Sequence, residues 1–170
     1  PAHCAMLPFG RNLFDPMDFT PVSFDSLPKI SRRTSPGFEL ALTVLFQSGI
    51  QHYAERPQGM DKVPDYVQNW MREVPAVWDD VQLIDGFPGQ YVVMARKANK
   101  CWYVAGINAT AETKTVELPA NLFRKGVKLV CITDGDENGF STMEISSPKG
   151  QPPTITMAPN GGFVLAGRHP

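Results

Sequence analysis

Arg11 and Asp18 are the polar residues whose types and spacing first point to chemistry. They sit in Leu7-Pro8-Phe9-Gly10-Arg11-Asn12 and Asp15-Pro16-Met17-Asp18-Phe19-Thr20-Pro21. Placed in a loop at the C-terminal mouth of a barrel strand, a guanidinium and a carboxylate could hydrogen-bond a hydroxyl-rich substrate or orient a catalytic group. The alternative is an Arg11–Asp18 pair that pins a long loop, a common structural use of such residues. His52 and Glu55 lie close together further on. At a barrel mouth both would be site candidates, although a lone His on a short strand is more often a satisfied core residue.

Other polar clusters carry weaker signals. Asp134-Gly135-Asp136-Glu137-Asn138-Gly139 has the opening pattern of a calcium loop. That loop needs a bidentate Glu at its twelfth place, where this sequence has Ile145, with Glu144 one short. Asp-Gly and Asn-Gly are strong turn formers, so a polar turn between two strands is the better reading. Asp79 and Asp80 are adjacent, so on a strand they face opposite sides and cannot flank one bond. Asn108-Ala109-Thr110 matches the glycosylation sequon, a pattern short enough to arise by chance. Gly-rich phosphate loops, a Ser or Cys elbow and a His pair with zinc spacing are all missing from the sequence.

The elements that must position these residues change character near Pro75. Met6–Phe9 reads as a brief strand that feeds a proline-punctuated loop. Ser35-Pro36 starts a helix, with Ser as N-cap and Pro at the first helical position. Phe38, Leu40, Ala41, Leu42, Val44, Leu45 and Phe46 make that helix apolar nearly all round, so it must be buried. A short strand is expected over Ile50–Ala54 and a second helix over Pro64–Glu73. Val63, Val67, Trp70, Met71 and Val74 supply its apolar face, and Pro75 stops it. From Val77 onward short strands follow in series: Trp78–Ile84, Gln90–Lys97, Cys101–Asn108, Thr113–Leu118, Lys128–Thr133, Thr142–Ser146, Thr154–Met157 and Phe163–Ala166. Such spacing predicts a β-sandwich.

The predicted fold class is thus α/β plus all-β. Residues 1–75 read as the terminal strand–helix units of a (β/α)8 barrel, and residues 76–170 as an antiparallel β-sandwich domain. The first part has too few elements to cover its apolar helix, which predicts a piece of a longer protein. It also predicts an exposed apolar patch on that helix, covered by another copy through self-association.

The chain has 170 residues, 42% of them hydrophobic, enough for one good core or two small ones. Lys+Arg number 16 against Asp+Glu 17, so there is no basic footprint for nucleic acid. No apolar run has the length of a membrane span. Cys4, Cys101 and Cys131 are three, an odd number at wide spacing. Three buried thiols are the preferred reading, with a Cys101–Cys131 bridge open if both lie on neighbouring strands.

Taken together, the segments resemble glycoside hydrolase family 97. The resemblance runs through Leu7–Asn12, Pro16–Pro21, Leu40–Glu55, Val77–Asp80, Gly86–Lys97, Trp102–Asn108 and Gly161–Val164, which covers essentially the whole chain. It implies an α-glucosidase or α-galactosidase of a Gram-negative bacterium, exported to the periplasm or outer membrane, with a (β/α)8 barrel and a C-terminal β-domain. It further implies calcium in the active site of the parent enzyme and an oligosaccharide substrate. By the resemblance, the family's catalytic and calcium-binding carboxylates are expected upstream of this chain, so no catalytic residue and no metal ligand is carried over. Arg11 and Asp18 carry over as mouth or scaffold residues, and Glu55 stands beside them as a pocket candidate. Gly10 and Asp15 depart from the Thr and Gly that the family often has there, which alters the expected turn. The alternative function, from another class, is a carbohydrate-binding or purely structural β-sandwich module; Trp78, Tyr91, Trp102 and Tyr103 are candidates for stacking on sugar faces, but their strand positions suggest core as readily, and a structural role is preferred.

Overall fold

A computed structural model describes residues 1–25, 32–123, 129–135, 139–145 and 152–167. The described helices are α1 (Ala2–Met6), α2 (Arg11–Phe14), α3 (Pro36–Leu45), α4 (Pro57–Met60) and α5 (Asp65–Glu73), with a 3-10 turn at Leu7–Phe9. The strands are β1 (Asp80–Phe87), β2 (Tyr91–Ala98), β3 (Cys101–Asn108), β4 (Lys114–Glu117), β5 (Leu129–Asp134), β6 (Phe140–Ile145), β7 (Thr154–Met157) and β8 (Gly162–Gly167).

Six strands form one sheet in the order β1-β2-β3-β8-β5-β6, and β4 pairs with β7 in a second, two-stranded sheet. Every pairing is antiparallel. The β2–β3 hairpin turns at Asn99 and Lys100, both with positive φ, the backbone of a two-residue turn that matches strand twist.

Both faces of the large sheet are covered, which explains the near-continuous apolar runs of β2, β3 and β8. Val92, Met94, Ala105, Ile107, Ile132 and Val164 point to the helical layer. Val93, Ala95, Val104, Cys131, Phe163 and Leu165 point the other way, onto Val116, Leu118, Ile155 and Met157 of the small sheet. The two sets alternate along each strand, as a period of two requires.

Helix α3 lies on the first face and is buried all round. Phe38, Leu40, Ala41, Val44 and Leu45 are fully inaccessible. The expected exposed patch on this helix is therefore absent, because β2, β3, β5 and β8 cover one side and the chain's own loop and α5 cover the rest. Phe19 meets Phe46 edge-on at 4.7 Å, and the Trp70 indole donates to Thr43 Oγ1 at 3.2 Å. The argument for a longer protein from an uncovered helix fails on this ground. One hydrophobic cluster joins Ala5, Met17, Val22, α3 and α5 to the sheet, so the two parts on either side of Pro75 share a core.

The N-terminus of α3 shows how tightly helix and sheet meet. Ser35 caps as its type predicts, accepting from Phe38 N at 3.1 Å. Asp134, at the end of β5, accepts from Gly37 N at 2.7 Å and from Gly162 N at 3.0 Å. One carboxylate thus satisfies a free helix N–H and a strand N–H, with the charge at the favourable end of the helix dipole. A Cβ on Gly162 would sit 2.7 Å from Phe38 Cα, so only glycine permits this approach.

Two expected strands differ. Met6–Phe9 is helical, formed by the end of α1 and the 3-10 turn that holds Pro8. Ile50–Ala54 is irregular. Its backbone tie to residues 17–21 is the Ala54 N–H to Pro21 O bond at 3.0 Å, and one such bond makes no ladder. The barrel units expected for residues 1–75 are not formed by these segments.

Asp134→Ala leaves two part-buried N–H groups unpaired and should lower unfolding free energy by about 2–3 kcal/mol in a denaturant melt. Loss of less than about 0.5 kcal/mol would show that the clamp is not needed.

Candidate functional site

The loop with Arg11 and Asp18 is held by backbone bonds. Arg11 donates to the carbonyls of Asp15 and Pro16, both at 3.2 Å. Asn12 is buried and donates to Asp15 O and Gln47 O at 3.1 Å, while its Oδ1 accepts from Gln47 N at 2.8 Å. Asp18 is exposed. Arg11 therefore pins the loop through carbonyls and not through Asp18, and Asn12 is the residue that ties it to the end of α3.

Glu55 is also spent on backbone. Its Oε2 accepts from Phe24 N at 2.5 Å and Asp25 N at 2.7 Å, and its Oε1 accepts from Arg56 N at 2.9 Å. Asp25 pairs with Arg56 at 2.8 Å, and Lys62 stands 3.7 Å away. Arg32 holds the carbonyls of Ser23 and Phe24 at 2.8 and 2.7 Å. This is a loop clamp whose acceptors are occupied, a poor arrangement for a general base. His52 is exposed on the irregular segment. Among the described residues Arg11, Asp18 and Glu55 make no hydrogen bond or ion pair with one another, so the structure does not gather them into one site.

The remaining polar motifs have structural uses. Asp136, Glu137 and Asn138 lie outside the described residues; β5 and β6 pair antiparallel on either side of them, with Asp134 opposite Phe140. Asp79 accepts from Asn99 N at 3.1 Å and braces the β2–β3 turn. Asn108 is fully buried. Its amide donates to Glu112 O and Ala158 O at 2.7 and 3.0 Å, and its Oδ1 accepts from Thr110 N and Oγ1 at 3.0 and 2.8 Å. The sequon is a buried loop lock with no free amide. Among the described residues no group of three His, Cys, Asp or Glu is placed to hold a metal; the calcium that the resemblance implies belongs to the active site of the parent enzyme.

The cysteines are free. Cys131 lies on β5 and Cys101 on β3, with β8 between them. Their side chains also face opposite sides of the sheet, Cys131 toward the small sheet and Cys101 toward α5. A bridge between them is excluded on geometry. Cys4 and Cys101 are half-buried, against the expectation of three buried thiols. Burial pushes the Cys131 thiol up to about 12.

The aromatics do not line up as a sugar platform. Tyr91 and Trp102 pack on the small-sheet side, Trp78 and Tyr103 on the helical side. Tyr103 is held edge-on by Trp70 at 5.8 Å and Trp78 at 5.5 Å. Beside it, α5 and the sheet leave a cleft of about 360 Å³ lined by Tyr66, Trp70, Glu73, Cys101, Tyr103 and Ile132, among others. Burial first, then the negative potentials of Cys101 and Glu73, push the Tyr103 hydroxyl up. Sequence reasoning missed this cleft. Its signal was Tyr66, Trp70 and Glu73 at helical spacing on one face of α5, a pattern absorbed into the count of core residues.

What the fold defines is an antiparallel, two-sheet domain with a helical layer, whose conspicuous polar residues serve the backbone. The family description "Glycosyl-hydrolase 97 C-terminal, oligomerisation" matches residues 77–166, and the chain belongs to glycoside hydrolase family 97. It is 33% identical over 98% of its length to a probable retaining alpha-galactosidase of Streptomyces bingchenggensis. It is 28% identical over 94% of its length to a retaining alpha-galactosidase of Bacteroides thetaiotaomicron. The chain spans 26% of the length of each. Among solved structures, a beta-arabinopyranosidase matches with a TM-score of 0.89 and 28% identity, over 97% of this chain and 27% of that one. A family 97 enzyme from Pseudoalteromonas sp. strain K8, in complex with panose, matches at 0.83 and 27%, over 98% and 28%.

Proposed function

We propose that this chain is the C-terminal structural part of a family 97 glycosidase acting on α-galactosides, and that bond cleavage is carried out by carboxylates outside it. The observation that carries this reading is the 33% identity over 98% of the chain to a probable retaining alpha-galactosidase. The match to a beta-arabinopyranosidase supports it, because β-L-arabinopyranose is α-D-galactopyranose without its C6 group. A second reading, an α-glucosidase, is favoured by the likeness to an enzyme in complex with panose. In either case two carboxylates must flank the scissile bond, and the acids described here are exposed or already engaged by backbone N–H groups, hydroxyls or a guanidinium. Calcium, the (β/α)8 barrel and export to the periplasm or outer membrane belong in this reading to the whole protein, supported by the resemblance in sequence.

Self-association is the second part of the proposal, in keeping with the family description. Its proposed surface is β1, an edge strand of the large sheet. Val81, Leu83 and Phe87 on it are each half or more exposed. An edge with exposed apolar side chains is a template for pairing with another chain.

The full-length enzyme that contains this chain should hydrolyse 4-nitrophenyl α-galactoside faster than the α-glucoside, and the 170-residue chain alone should turn over neither. Turnover by the chain alone, abolished by Asp18→Asn or Glu55→Gln, would overturn the reading. In sedimentation velocity the enzyme should form a dimer or larger species, with Leu83→Lys weakening association about tenfold or more. An unchanged association constant would remove β1 from the interface.

A further inference from the structure

β1 ends one side of the large sheet, and in an antiparallel edge strand every second N–H and C=O points away from the neighbouring strand. Two N–H groups of β1 are taken by the carboxylates that precede them. Val81 N donates to Asp80 Oδ1 and Gly86 N to Asp85 Oδ1, both at 2.8 Å. An N–H bonded to the carboxylate beside it is withdrawn from any further ladder. Asp85 is itself held in place. The Tyr91 hydroxyl donates to the same oxygen at 2.9 Å, and the Lys114 ammonium lies 4.1 Å from the centre of the Tyr91 ring. A bulge between Leu83 and Asp85 interrupts the strand between the two capped N–H groups. Charges and bulges are devices by which sheet edges resist the addition of another strand.

The side chains of β1 divide by face. Val81 stands opposite Arg96 and Leu83 opposite Met94. Met94 belongs to the core under the helical layer, and Arg96 donates to α3 at Leu45 O, so Val81 and Leu83 share that face. α3 packs on β2, β3, β5 and β8. On β1, beyond that cover, Val81 and Leu83 remain 50% and 51% exposed. Phe87 stands opposite Tyr91, which packs on the small-sheet side.

We infer that Asp80 and Asp85 close the β1 backbone to strand addition, and that a second copy of this chain docks instead on the helical-layer face of β1, through the side chains of Val81 and Leu83. The inference rests on the reading of β1 as the self-association surface and fixes how that surface is used. Strand addition would have to break both bonds from N–H to carboxylate. Antiparallel pairing of two β1 strands about a two-fold axis between residues 82 and 83 would also set each Asp80 opposite the partner's Asp85, and like charges directly opposite are destabilising. Packing of Val81 and Leu83 meets neither obstacle and removes apolar surface from water.

The test is sedimentation equilibrium of the full-length enzyme that contains this chain. Val81→Lys should weaken association about tenfold or more, while Phe87→Lys, on the other face, should leave it unchanged. Asp80→Ala combined with Asp85→Ala should open the edge, so that this variant associates about tenfold more tightly than the wild type. Asp80→Ala alone keeps the contact of Asp85 with Tyr91 and should shift association in the same direction. A thermal melt of each variant checks that the fold is kept. Association unchanged by loss of both carboxylates would overturn the closed edge. Weakening by Phe87→Lys as large as that by Val81→Lys would overturn the choice of face. A wild-type enzyme that stays monomeric would overturn the self-association reading and the docking face with it, whereas tighter association of the double variant would still establish the closed edge.

Discussion

The structure depends on the contact of one apolar helix with one face of the sheet. α3 is apolar apart from Glu39 and the buried Thr43, and apart from Glu39 its residues Phe38 through Leu45 vanish almost completely from solvent. At about 25 cal/mol per Å² of apolar surface, exposing such a helix would cost several kcal/mol, a large share of a domain's stability. Close approach is made possible by glycine at 37 and 162, and the Asp134 carboxylate ties both of their N–H groups. Packing and hydrogen bonding therefore act at the same point. The outer loop then closes over α3 through Glu55, Arg32 and Asn12, each of which holds backbone groups.

This arrangement accounts for the fate of the polar residues. A long loop that covers a helix has many N–H and C=O groups to satisfy. Arg11, Asn12, Arg32 and Glu55 supply the partners, as Asn108 does on the far side of the sheet. Arg96 is a costlier case. It is buried, donates to Leu45 O at 3.3 Å, leaves its Nε without a partner, and burial holds its pKa down to about 10. Such a guanidinium fixes the C-terminal end of α3 on β2 at the expense of desolvation.

Much of the fold was legible from periodicity and turn chemistry. The Ser35-Pro36 start, both long helices and the serial strands follow from local signals that tertiary contacts reinforce. What sequence could not give was which elements cover which. The apolar helix has too few neighbours within the first 75 residues because its cover, the sheet, comes later in the chain. Met6–Phe9 and Ile50–Ala54 look like strands only if barrel neighbours pair with them; within this chain they have none and take other forms. The site residues were legible as polar types in a loop, but whether a carboxylate faces ligand or backbone depends on loop closure, which spacing does not encode. The cleft beside Tyr103 arises from α5 meeting a sheet formed by distant strands, so only the helical half of it was visible.

The family match begins at residue 77, after the described α-helices α1–α5. The central claim is that this matched segment is not a folding unit by itself, because α3 covers the central strands β2, β3, β8 and β5 on one face of its sheet. The direct measurement is urea denaturation of a chain trimmed to residues 77–166, compared with the 170-residue chain. The account predicts a cooperative transition for the longer chain and none for the trimmed one, which should bind hydrophobic dye as an open sheet would. A trimmed chain that unfolds cooperatively with comparable stability would contradict the account and make the helical layer an accessory.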